Sequence, residues 1–421
     1  MSSNFSDLLL LIGTNPLPNL IVAKYFLKYN SELKRIWLIH SEKRNDINQK
    51  GTYREAENLK KLIQNQPDSQ NISFEFVSLS NVSRAKSIEK NLTEQCIDNL
   101  SPGCSLNLNY TGGTKVMGTH IYRIIEKTNK IKRKSFSYLD ARSFRIIDDE
   151  EDIITEDLRD KISISFQDII DLHGFNKKSQ ISEINFTDAI EEFRKLISRG
   201  QLKEYFDIEH GYNRNLFLNK YGKGGLAEKK KDLDMDRLKK FIPNKAFLSI
   251  IKSLPEDCRL FDATGEFIGR DMSNRNCKDT IKFLDGGWLE DYLYKIFKSS
   301  LKDKNIEIQR NRVISKDGWP TTFELDIVLV KGYQLIGISC TTANEKKLCK
   351  SKGFEIILRA RQIGGDEGKA ILICCAKKHD RETLEKELQL DTGSGSNIIV
   401  LGIDDLEEKL LLDKVQDFIS D

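Results

Sequence analysis

The sequence predicts an α/β protein with a Rossmann-like first half, a mostly helical middle region and a second, smaller α/β half. Three observations carry that expectation. Strand-like and helix-like patterns alternate through the first 150 residues; the acidic stretch Asp148–Asp152 opens a weakly periodic, helix-rich region; and sharp alternation returns at Phe283. The domain boundaries expected are 1–150, 151–280 and 281–421. At roughly 150 residues per domain, a chain of 421 residues holds two to three.

Each element has a local reason. Asp7–Gly13 is an apolar run that stops at Gly-Thr-Asn-Pro, and a helical pattern follows from Pro18 to Tyr29. Arg35–His40, Ile72–Ser78 and Ser105–Tyr110 read as further strands, with helices at Gly51–Gln64, Ser83–Leu100 and Thr114–Lys127 between and after them. Alternating strands at Ser135–Leu139 and Phe144–Ile147 close this half. Strands separated by helices need right-handed crossovers, hence a mostly parallel, doubly wound sheet. The middle region carries helical patterns at Ala189–Ser198 and Asp234–Ile242. Beyond Phe283, a helix at Trp288–Leu301 precedes strands at Ile306–Ser315, Thr322–Leu329 and Gln334–Cys340. A helix at Asn344–Ile363 and a strand at Lys369–Cys375 follow, then a helix near Arg381–Leu390, a strand at Asn397–Leu401 and a helix at Asp404–Leu412.

Composition excludes several classes. Hydrophobic residues make up 39% and charged residues 31%, the balance of a globular chain rather than a disordered one. The longest apolar run, Ala370–Ala376, falls far short of the roughly 20 residues that span a bilayer. No basic segment or small-residue cleavage site frames Leu8–Ile12, so a cytoplasmic protein without a membrane partner is expected. Sixty-seven basic against 64 acidic residues exclude a uniformly basic coat and permit one local basic groove. The eight cysteines include no Cys-x-x-Cys pair, so reduced thiols are expected rather than a zinc site.

Two turns of the first half fall where ligands bind in doubly wound sheets, at carboxyl ends of strands. The first is Gly13-Thr14-Asn15-Pro16-Leu17-Pro18-Asn19; the second is Asn109-Tyr110-Thr111-Gly112-Gly113-Thr114-Lys115-Val116-Met117. The second feeds a helix N-terminus, whose free amides and dipole favour anions, and Lys115 adds a positive charge. It matches neither the Walker A spacing nor the dinucleotide fingerprint. A capped turn with no ligand is the plain alternative.

The pair of turns, Gly-x-x-Pro-x-Pro-Asn followed by Thr-Gly-Gly-Thr-Lys-x-Met, resembles the CARF domain (CRISPR-associated Rossmann fold) over about residues 1–150. The resemblance implies a homodimer that binds a cyclic oligoadenylate across its two-fold axis, with cyclic tetra-adenylate expected as allosteric activator. Gly13, Thr14, Asn15 and Asn19 would hold it from one side, and Thr111, Gly112, Gly113, Thr114, Lys115 and Met117 from the other.

In the last half, Glu290 lies on an amphipathic helix, and Asp326 interrupts the apolar strand Phe323–Leu329. Burying a lone carboxylate is costly, so Asp326 needs a metal or a partner. Glu324 lies two residues before it, on the same strand face. This order of acids resembles the PD-(D/E)xK nuclease fold over about residues 283–421, which implies one or two divalent ions, Mn²⁺ or Mg²⁺, and a DNA or RNA substrate. The resemblance breaks where that fold has Glu-x-Lys, because this chain reads Ser339-Cys340-Thr341. Glu345, Lys346, Lys347 or Lys350 on the next helix are candidates to supply the missing groups. Lys346, Lys347, Lys350, Lys352, Arg359 and Arg361 also form a basic cluster, either a nucleic-acid groove or a solvated helix face. Trp319 and Tyr333 sit in loops where bases could stack.

The expectation is therefore a cyclic-oligoadenylate-activated, metal-dependent nuclease of type III CRISPR defence, with Asp326, Glu290, Ser339, Thr341 and Glu324 at its catalytic site. The alternatives are a cyclic-oligoadenylate-binding regulator or nucleic-acid binder with a degenerate nuclease fold, and a plain nucleotide-metabolite enzyme.

Overall fold

A computed structural model describes residues 4–149, 153–177, 186–206, 216–221, 225–269, 271–301, 305–316 and 322–420. Trp319 lies outside them.

The first sheet has six strands: β1 (Asp7–Leu11), β2 (Arg35–Ser41), β3 (Ser73–Leu79), β4 (Ser105–Asn109), β5 (Arg133–Asp140) and β6 (Arg145–Asp148). Their spatial order is β3-β2-β1-β4-β5-β6, with β1 to β5 parallel and β6 antiparallel to β5. Five consecutive buried residues in β1 reflect a strand covered on both faces. The order reverses between β1 and β4, so the two turns singled out by sequence flank the topological switch point.

The second sheet contains β7 (Phe175–Lys177), β8 (Ile306–Lys316), β9 (Phe323–Lys331), β10 (Gln334–Cys340), β11 (Lys369–Ile373) and β12 (Ile398–Leu401). It runs β12-β11-β10-β9-β8-β7, parallel from β10 to β12 and antiparallel elsewhere. The register of β8 on β9 is the same on both sides of Asn311, whose φ of 48° falls between the pairs Arg310–Ile327 and Arg312–Leu325. The edge strand β7 carries no alternation in three residues and is not legible in the sequence. Helices at Phe166–Leu172, Lys245–Ser253 and Asn274–Lys282 likewise add to those expected.

Between the sheets, residues 153–177 are stitched to both. Leu158 N donates to Phe144 O at 2.9 Å, and Ile164 N donates to Gly332 O at 2.8 Å. Arg159 is sandwiched between the halves: its guanidinium lies 3.9 Å from the Phe144 ring centre, and Nη1 donates to Gln334 Oε1 at 3.0 Å. One apolar core runs continuously from Leu8, Leu20 and Leu59 of the first half to Val328, Leu335 and Ile356 of the second. Tyr333 is buried in this core, 6.1 Å from the Phe144 ring, so it is not a surface platform for bases. The helices between Thr187 and Lys282 build a separate core against the other face of the second sheet, with Phe193 stacked on Trp288 at 4.1 Å. Among the described residues, no helix is long and apolar enough to cross a membrane.

Candidate functional site

The loops after β1 and β4 meet almost backbone to backbone. A Cβ on Gly13 would lie 3.1 Å from Gly113 N, and one on Gly112 would lie 2.1 Å from Leu11 O. Gly113 has a φ of 75°, a region that glycine enters without steric cost. The two glycines thus let the turn lie flat on β1 and lead directly into the following helix, Lys115–Lys127. Thr114 caps that helix, its Oγ1 accepting from Met117 N at 3.2 Å. Thr111 is spent on structure: its Oγ1 donates to Asn109 Oδ1 at 2.8 Å and accepts from Leu139 N at 2.7 Å.

Two clefts flank this turn. The first, of about 630 Å³, is lined by Gly13, Thr14, Gly113, Thr114 and Met117, and by loops the sequence reading left out. Asn48, Gln49 and Lys50 come from the loop after β2; Asn81, Ser83 and Arg84 come from the loop after β3. The available signal was topological: every loop at the carboxyl end of a parallel strand faces the same edge of the sheet. Gln49 ties these loops together, donating to Glu42 O at 2.8 Å and accepting from Val82 N at 2.9 Å. The second cleft, of about 570 Å³, is lined by Thr111 to Lys115, Thr119, Tyr110, Tyr122 and Asp149. Both tyrosine hydroxyls donate to Asp149; burial and then this bond for Tyr110, and this bond and then burial for Tyr122, push their ionisation above the ordinary tyrosine range.

Asn15 and Asn19 line neither cleft. Asn19 is buried beneath the turn, its Nδ2 donating to Leu11 O at 3.2 Å. Asn15 turns toward the second half. Its Oδ1 accepts from Leu17 N at 3.1 Å and lies 3.1 Å from His173 Nε2, while its amide abuts Gly365. His173 is buried, and loss of hydration drops its pKa to about 4. Its Nδ1 lies 2.8 Å from Ile169 O.

The second constellation lies at the ends of β9 and β10. Asp326 Oδ2 accepts from Cys340 N at 2.7 Å and from Ser339 Oγ at 3.2 Å. Glu290 enters from the helix Trp288–Ser300, which continues the helix Asn274–Lys282 through a five-residue π-turn, Phe283–Gly287. Thr342 Oγ1 fastens that turn by donating to Asp285 O at 2.8 Å. Burial first, and the neighbouring Asp326 charge second, raise the Glu290 carboxyl to about 8. Burial also raises Asp326, opposed by the Cys340 amide and the Lys352 charge. Glu324 is exposed, yet its charge reaches both. The acids picked from sequence therefore converge. Thr341 does not reach Asp326 through a hydrogen bond; its hydroxyl accepts from Ala343 N at 3.1 Å.

This donor set is all oxygen, two carboxylates and the Ser339 hydroxyl, and suits a hard cation that keeps much of its water, as Mg²⁺ does. Among the described residues, no group of three or more His, Cys, Asp or Glu side chains is placed to hold a metal. The fit is thus to a sparse, two-carboxylate site.

The basic cluster divides. Lys346 and Lys350 pair with Glu387, and Lys350 also with Asp391 at 2.8 Å. Arg359 lies 4.2 Å over the Phe323 ring, and Arg361 donates to Thr392 O at 3.1 Å. Lys347 is exposed.

Residues 8–165 match the family model of the Card1 CARF domain. No curated protein matches the chain. Among solved structures, Can2 from Sulfobacillus thermosulfidooxidans, in complex with cyclic tetra-adenylate, aligns with a TM-score of 0.60 at 16% identity, over 97% of this chain and 96% of that one. Protein VC1899 from Vibrio cholerae aligns with a TM-score of 0.64 at 16% identity, over 98% of each chain. The N-terminal unit of this protein is a CARF domain, and the whole chain shares the fold of these two structures.

Proposed function

We propose that this protein is a cyclic-oligoadenylate-gated, metal-dependent nuclease of type III CRISPR defence that works as a homodimer. The observation that carries the reading is the approach of Glu290 to Asp326, which the Cys340 amide and the Ser339 hydroxyl pin in a half-buried corner of the second sheet. Neighbouring carboxylates repel each other, and a divalent cation is the partner that relieves the repulsion. A CARF domain sharing one core with that sheet supports a ligand-controlled enzyme. The bound ring in the Can2 structure supports cyclic tetra-adenylate as the activator.

In this reading Thr14, Lys50, Arg84 and Lys115 receive the anionic ring on the glycine-lined edge, and the helix Lys115–Lys127 presents its free amides to phosphate. Ligation shifts the equilibrium between two dimer arrangements and changes access to the carboxylate corner. Asp326, fixed by the Cys340 amide and Ser339, and Glu290, fixed through the Thr342-anchored π-turn, would hold the cation. When bound, that cation supplies Lewis-acid stabilisation of the phosphodiester and activation of water. Glu324, two residues before Asp326, is exposed and open to a substrate.

The test is cleavage of supercoiled plasmid, single-stranded DNA and single-stranded RNA with Mn²⁺, with and without cyclic tetra-adenylate. Activator-dependent cutting that Asp326→Ala abolishes is the expected result. A second reading, a cyclic-oligoadenylate-binding regulator with a silent nuclease fold, is favoured by the missing third ligand among the described residues. Measurable ring binding with no cutting on any substrate establishes it in place of the first.

A further inference from the structure

The nuclease fold that the sequence resembles places a lysine at the strand position occupied here by Thr341, whose hydroxyl is engaged with the Ala343 amide. Resting on the nuclease reading above, we infer that Lys352, reaching in from the helix Lys346–Gly364, is the positioning cation of the carboxylate corner and orients the anionic phosphodiester beside Asp326.

The register of that helix on β10 carries the inference. Gly364 packs on Leu335, where a Cβ would come within 3.0 Å of Leu335 Cβ. Further along, Ile356 covers Gly337, and the Cys349 thiol donates to Ala343 O at 3.4 Å. The helix therefore runs antiparallel to β10. One turn back from Ile356 is about 6 Å along the helix axis. Two residues on from Gly337 is a similar distance along the strand, about 6.6 Å. That step sets Lys352 over Ser339, which shares the Gly337 face and donates to Asp326.

Cys349, Lys352 and Ile356 are three and four residues apart, hence on one helix stripe, and its first and last members are buried on the sheet. Lys352 itself is half-buried on that stripe, and its charge is felt by both Asp326 and the Cys340 thiol. Lys346 and Lys350, on the opposite stripe, are committed to Glu387 and Asp391.

Two measurements on the full-length protein test this. The first is activator-stimulated cleavage with Mn²⁺ by wild type, Lys352→Ala, Lys352→Arg, Asp326→Ala and the double variant Lys352→Ala with Thr341→Lys. Lys352→Ala is expected to lower kcat about a hundredfold with KM little changed, the size of effect seen when one charge-stabilising group is lost. Lys352→Arg should retain most of the rate, and the double variant should recover at least about tenfold over Lys352→Ala, because the cation returns on the strand. A merely structural lysine predicts no such rescue. The second is Mn²⁺ affinity without substrate, followed by the electron paramagnetic resonance of free Mn²⁺. Removing a like charge beside the carboxylates should tighten binding roughly three- to tenfold.

Wild-type cutting in Lys352→Ala while Asp326→Ala is dead overturns the inference and leaves the nuclease reading standing. Unchanged Mn²⁺ affinity in Lys352→Ala overturns it as well. A wild type that cuts nothing removes the nuclease reading itself, and this inference with it.

Discussion

Glu367 offers a stability test of the junction between the two halves. It lies just past the helix Lys346–Gly364, 7% exposed, and its Oε2 has no hydrogen-bond partner among the described residues. Around it stand Asp366, the Tyr333 hydroxyl, Gly365 with the Asn15 amide against it, and, beyond Tyr333, Arg159. Burial, reinforced by Asp366, lifts its carboxyl from 4.5 to about 7. A displacement of that size corresponds to about 3 kcal/mol.

The sign follows from proton counting. Between roughly pH 4.5 and 7 the unfolded chain has released this proton and the folded chain still holds it, so stability falls as pH rises through that window. Above it the full penalty remains. Glu367→Gln keeps the shape and removes the charge. It is expected to stabilise the protein by about 1–3 kcal/mol at pH 8, the buried amide offsetting part of the gain, and by almost nothing at pH 4.5. Denaturant unfolding of both proteins at the two pH values measures this. A difference that does not change with pH, or a loss of stability at pH 8, refutes the reasoning, because it means that the native carboxylate is ionised and paired.

Two further substitutions probe the sensor edge. Gly112→Ala drives a methyl to 2.1 Å from the Leu11 carbonyl, so the turn must shift; a loss of at least about 2 kcal/mol in unfolding stability and of ring binding is expected, checked by thermal melts and calorimetry. Asn15→Ala removes the contact with His173 and lies outside both clefts. Ring affinity should therefore hold within about threefold while stability falls by about 1 kcal/mol; a large loss of affinity instead would place Asn15 on the ligand.

Much of the first half was legible in the chain because local signals and the fold agree. The all-apolar β1, the proline-led helix after it and the Thr114 cap each act over a few residues, and alternation of strands with helices leaves few topologies open. The acids Glu290 and Asp326 were equally readable, since a carboxylate in an apolar strand or on a helix flank carries a cost that must be met.

Other features have no local signature. Three residues of β7 join the second sheet only because β8 offers an edge. Asn15 looks like a ligand residue in its loop, yet tertiary packing turns it to His173 and Gly365, because the two halves share a core. The cleft residues Gln49, Lys50 and Arg84 sit on separate loops that only the parallel sheet gathers to one edge.

The lysines of the helix Lys346–Gly364 make the same point. Their spacing set them on a common helix, while the acids of the neighbouring helix Lys378–Thr392 decided that Lys346 and Lys350 are paired. Sequence by itself determined the α/β class and the glycine turn, and it singled out the acids for their cost in an apolar setting, because these depend on neighbours along the chain. Which side chains meet across the halves was decided by tertiary structure, because packing and charge act between residues far apart in sequence.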